Sequence, residues 1–94
     1  MAKDNDKAAW PLEHRLSRPA QALDETVESL TLVEPTAAQL LKCGVFDGTV
    51  TGEQMLDLVA ELAKKPPALI RALPGVDMVE LTTRLSRIFR KAAS

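Results

Sequence analysis

Two spacings of apolar side chains divide this 94-residue chain. In its first third the spacing is two. Leu12, His14 and Leu16 share one face of an extended segment over residues 12–16. Residues 26–33 are rich in β-branched side chains (Thr26, Val27, Thr31, Val33) and predict a second strand. Residues 17–25 between them read as a long turn, so the segment 12–33 predicts a β-hairpin. An isolated two-stranded hairpin is marginal in water, so this one must lie on helices.

From residue 36 onward the spacing is helical. Thr36-Ala-Ala-Gln39 and Thr51-Gly-Glu-Gln54 each have the form of a capping box, in which hydroxyl and amide side chains satisfy each other's backbone N–H groups. The first helix should end at Gly44. Behind the second box, Met55, Leu58, Val59 and Leu62 make one stripe, closed by Lys64-Lys65 and Pro66-Pro67. A short helix follows over 68–73, stopped by Pro74-Gly75. Asp77-Met-Val-Glu80 reads as a third cap, opening a helix over 77–92. On it Met78, Leu81, Leu85, Ile88, Phe89 and Ala92 fall on one face, with Arg84, Arg87, Arg90 and Lys91 opposite. The expected fold class is α+β, mainly α: an N-terminal β-hairpin packed on a bundle of three to four short helices.

Composition narrows the classes. The length allows one domain, expected over 12–94, after a flexible N-terminal arm over 1–11. Twelve basic and thirteen acidic residues leave a formal charge of −1, which argues against a strongly basic nucleic-acid module. Fourteen leucines and thirteen alanines against three aromatic residues predict a thinly packed helical core. No apolar run reaches the roughly 20 residues that span a bilayer, and the polar start is not a secretory signal. Cytoplasmic residence is the expectation.

Candidate chemistry is sparse. Cys43 and His14 are the sole residues of their types, too few for a multi-cysteine zinc site. As nucleophile and base they lack an orienting carboxylate, so no enzyme, cofactor or metal is expected. Asp47-Gly48 resembles part of a calcium loop, but Cys43, Val45 and Gln54 fall where oxygen ligands belong. Partner binding is the stronger reading. Val45 and Phe46 form an apolar pair in a glycine-bounded loop, either tucked onto the core or exposed. Met55 and Val59 on one helix, and Met78, Leu85 and Phe89 on another, are candidate anchors for a helical partner, with core packing the alternative. Arg84, Arg87, Arg90 and Lys91 are a solvated face, a dock for an acidic protein, or a DNA contact.

The order of parts also carries a resemblance. An extended segment ending in Ser17-Arg18-Pro19 is followed by Leu30-Thr-Leu-Val-Glu-Pro-Thr36, a Leu73…Asp77 pair and a closing helix with Phe89. Over residues 12–92 this resembles the phage tail assembly chaperones of Mu-like contractile-tailed phages and prophages. Val33, Gln39 and Ile88 depart from the family's frequent arginine, acidic residue and phenylalanine. The resemblance implies a factor that binds the tape measure protein, keeps it soluble and aids tail tube polymerisation. It implies the tail tube protein and a frameshifted long form of the chain as further partners. The resemblance places the protein in the host bacterial cytoplasm and outside the mature virion. Separately, the small stability margin of so thin a core makes self-association into a homo-oligomer one way to cover leftover apolar area. The alternatives are a small DNA-binding regulator using the basic helix face, or a structural tail component.

Overall fold

The protein is described by a computed structural model covering residues 10–93, with side chains through Arg90. The expected arm therefore falls almost wholly outside the described residues, but Trp10 within it packs against the core. The elements are β1 (Leu12–Ala22), β2 (Glu25–Leu32), α1 (Ala37–Cys43), α2 (Gly52–Ala63), α3 (Pro67–Arg71) and α4 (Gly75–Ala93). This is the α+β, mainly helical arrangement expected from the spacing, with the hairpin first and four helices after it.

The hairpin departs from expectation in its turn. β1 runs to Ala22, and Leu23 and Asp24 alone make the reversal, with φ of 54° and 63°. Two left-handed residues in a row match the twist of antiparallel strands, but the position normally attracts Asn or Gly. Leucine there gave no sequence signal. Residues 17–22 and 25, expected in a long turn, are strand instead. The register holds the reason. Arg15 pairs with Ser29 and Ala20 with Val27, so residues 16–19 of β1 face Glu28 alone in a wide bulge. On β2 the buried residues are Val27, Leu30 and Leu32, a spacing that changes face between 27 and 30. The bulge lets Ala20 meet Val27 on the core side while Leu12 and His14 meet Leu32 and Leu30 there.

Both capping boxes form as the residue types require. Thr36 accepts from the Gln39 N–H at 3.2 Å, and the Thr36 N–H donates to Gln39 Oε1 at 2.9 Å. Thr51 and Gln54 repeat this at 3.1 and 2.8 Å. Gly44 ends α1 at φ 87°, and a Cβ there would lie 2.9 Å from Thr49 Oγ1, so the loop closes on a true glycine position. α2 ends where Lys64-Lys65 and the prolines were expected to close it, with Lys64 in the left-handed conformation. α3 starts at Pro67 and stops at Arg71, two residues short of the expected end. The last helix starts at Gly75, earlier than expected, because the Pro74 carbonyl accepts from the Asp77 and Met78 N–H groups.

The core lies between the inner hairpin face and α2, α3 and α4. Leu30, Leu32, Val59, Leu62, Leu69, Ile70, Leu81 and Leu85 are almost wholly buried. Each large side chain of this kind contributes about 1.5–3 kcal/mol. The Val33 N–H donates to the Leu62 carbonyl at 3.1 Å, joining the end of β2 to α2, and Lys65 pairs with Glu25 at the hairpin turn. No helix of the described residues is long and apolar enough to cross a membrane.

Candidate functional site

Asp77 is the first surprise. It does not cap α4. It lies in the first turn, wholly buried, and reaches across to the β1 bulge. The Ser17 N–H, freed from the strand ladder by the bulge, donates to Oδ1 at 3.0 Å and Oδ2 at 3.1 Å. The Ser17 hydroxyl donates to Oδ2 at 2.9 Å, and His14 Nε2 sits 3.1 Å from Oδ1. On the other side of the ring, Arg84 Nη1 is 3.3 Å from His14 Nδ1 and donates to the Glu13 carbonyl at 2.9 Å. A guanidinium only donates, so Nδ1 accepts and the proton sits on Nε2, aimed at Asp77. Burial pushes the Asp77 pKa up. The Ser17 hydroxyl, His14 and the Ser17 N–H pull it down further, and the balance leaves it below the ordinary aspartate value.

This cluster brings together an imidazole and two carboxylates, since Glu80 Oε1 is 3.8 Å from His14 Nε2. The donor set of His14, Asp77 and Glu80 lies within the reach of one cation. The ring's far nitrogen, however, already faces the Arg84 cation. A metal at Nε2 would need an imidazole accepting from cations on both sides, and both Asp77 oxygens are already held by Ser17. The arrangement is a lock between β1 and α4. His14 is thus not available as a base for Cys43, whose thiol is directed at the Gln54 carbonyl at 3.7 Å. Burial raises the Cys43 pKa, with Asp57 and Glu61 adding to it, which suppresses thiolate.

The surface offers more. A cleft of about 620 Å³ opens between the 44–51 loop, the start of α2 and the second half of α4. Its apolar lining is Val45, Val50, Met55 and Phe89, and its polar border is Thr51, Thr82, Ser86 and Arg90. A smaller groove of about 280 Å³ adjoins along α4 and adds Thr83 and Arg87. The loop wall is held by its own backbone: the Asp47 and Thr49 N–H groups both donate to the Gly44 carbonyl, at 3.2 Å each. Phe46 stands out from this loop, 62% exposed, with Leu41 at 64% just before it in α1.

The predicted partner residues therefore divide. Val45 is half-buried against the core and lines the cleft, whereas Phe46 is exposed, so the pair splits between core and surface. Phe89 is half-buried and lines the cleft. Met78 is half-buried outside it. Val59 and Leu85 have no exposed surface and belong to the core, and Met55 is buried apart from its edge on the cleft. Arg87 and Arg90 are exposed, Arg84 is turned inward to His14, and the Lys91 side chain lies outside the described residues. Sequence reasoning missed Val50, Thr82 and Ser86. The spacing of Thr82, Ser86 and Arg90 at four residues along α4 was the available signal.

The protein is thus a small α+β domain with a loop-and-helix cleft. Residues 13–90 match the family model described as phage tail assembly chaperone proteins, E, or 41 or 14. The chain belongs to this family of tail assembly chaperones. Comparison with curated proteins and with solved structures finds no match to it.

Proposed function

We propose that this protein binds the tape measure protein during tail assembly, keeps it soluble, and supports polymerisation of tail tube subunits around it. Family membership supports the reading, and the observation that carries it is the open cleft with an apolar floor of Val45, Val50, Met55 and Phe89 beside exposed Phe46. An exposed apolar patch rimmed by polar residues marks an interaction site. The work is binding rather than bond chemistry, since both the buried imidazole and the buried thiol are committed to structural partners. The tail tube protein and a frameshifted long form of the chain are the further partners, and the place of action is the bacterial cytoplasm before the virion is complete.

Magnitudes suit a transient holder. Three large apolar side chains seated in the cleft would contribute about 5–9 kcal/mol gross. Lost translational and rotational freedom offsets several kcal/mol of this. The remainder is weak and reversible, as release to the growing tail requires. The test is co-expression with overlapping tape measure fragments, reading soluble yield and co-purification. At least one fragment should be retained and solubilised by the wild-type chain and lost with Phe46→Ser combined with Val50→Asp. If every fragment ignores the wild-type protein, the reading fails.

A further inference from the structure

The cleft has a sidedness that specifies its occupant, on the reading of it as the client site. Its floor is apolar, one border is the Thr82–Ser86–Arg90 edge of α4 with Arg87 beside it, and among the described residues no carboxylate lines it. Among the described residues Arg87 and Arg90 form no ion pair, unlike Arg71, which is held by Glu53 at 2.6 Å. The walls are a helix, a helix start and a loop whose turns are internally bonded, so no strand edge is offered. An extended chain entering here would leave its own N–H and C=O groups unpaired against Val50, Met55 and Phe89. A helix arrives with those groups satisfied.

We propose that the cleft receives an amphipathic α-helix of a client chain carrying acidic residues along one flank. Its apolar side faces Val50, Met55 and Phe89, and its carboxylates lie over Arg87 and Arg90. A second copy of this protein does not supply such a helix. The acidic flank of α2 already spends Glu53 on Arg71 and Glu61 on Lys42, and its apolar face is in the core. On α4, Leu81 and Leu85 are in the core, Phe89 already walls the cleft, and exposed Val76 and Val79 have Glu80 as their single exposed acid, while α1 exposes Ala37, Ala38, Leu41 and Lys42 without any acid.

The test uses two stapled helical peptides of about 18 residues, identical on a leucine face and flanked by Glu in one and Lys in the other. Each is titrated into the full chain by fluorescence anisotropy at low and high salt. The Glu-flanked peptide should bind about tenfold more tightly at low salt, with the preference shrinking as salt rises. Arg87→Glu with Arg90→Glu, both exposed and expected to leave the melting temperature unchanged, should abolish or reverse the preference. Val50→Asp should weaken both peptides. Equal affinities, no binding of either peptide, or a preference untouched by the double charge reversal would overturn the proposal. Tape measure fragments form the separate arm. If they bind the wild type and the double reversal equally well, the helix-flank proposal fails while the chaperone reading stands. If the Glu peptide is preferred but no fragment binds, the reverse holds.

Discussion

The two halves of α4 do different work with one amphipathic pattern. In the first half Asp77, Leu81 and Leu85 are wholly buried, and Asp77 is bonded to Ser17 and His14 on β1. In the second half Ser86, Ile88 and Phe89 are only half-buried, and the helix forms a wall of the open cleft. The same side-chain period runs through both. What differs is the neighbour: the first half meets a bulged strand, the second a short glycine-bounded loop that covers less of it. A helix face with apolar spacing is therefore core where the fold covers it and open surface where the fold stops short.

Substitutions along α4 should expose that boundary. Leu85→Ala in the sealed half is expected to cost about 3 kcal/mol through the cavity it leaves, read by urea unfolding. Phe89→Ala, half-buried, should cost clearly less and should weaken client binding in addition. If Leu85→Ala proves as mild as Phe89→Ala, the two halves are not distinct.

Asp77→Asn comes next. Its amide would set a donor against the Ser17 or His14 donors, at about 2 kcal/mol. That corresponds to a fall in melting temperature of about 8–16 °C for a domain of this size. The wild-type carboxylate also makes stability acid-sensitive, with a definite sign. The folded pKa of Asp77 lies below its ordinary value, so its contribution is complete above about pH 4. It disappears as the pH falls from there through the folded pKa. Urea melts between pH 5 and pH 2 should show this loss in wild type, and Asp77→Asn should show a shallower decline.

Arg84→Ala should cost about 1 kcal/mol, because it removes donors to the Glu13 carbonyl and His14 Nδ1. This sets Arg84 apart from the solvated stripe in which its spacing placed it. The smallest effect belongs to the open end. Arg87→Glu with Arg90→Glu should shift stability by no more than about 0.5 kcal/mol, measured by thermal melting. A larger loss there would show that these arginines hold the fold together.

Much of the architecture was legible because it follows from local chemistry. Thr36 with Gln39 and Thr51 with Gln54 can satisfy helix-start N–H groups without outside help, so their residue types alone announce the boundaries. The Met55–Leu62 stripe announces a buried face in the same way. The hairpin was half legible. Its strands have the right period, but the Leu23-Asp24 turn uses residues without a turn signature, and a bulge of residues 16–19 interrupts the alternation. In the candidate site, Val45, Phe46, Phe89, Arg87 and Arg90 were visible as apolar or basic positions. Which of them are covered depends on where the loop lies on α4, and neighbours distant in sequence decide that.

By itself the order of residues settled the element types, the starts of α1 and α2 and the family likeness, since capping, proline placement and side-chain period act within a few residues of one another. The tertiary structure alone decided that Asp77 bonds to a strand rather than capping its own helix, and that Arg84 turns inward while Arg87 and Arg90 stay in water. It also decided that one end of α4 is core and the other is cleft. Those outcomes depend on groups far apart in sequence meeting in space, as Ser17 and Asp77 do across 60 residues, and no local preference encodes such a meeting.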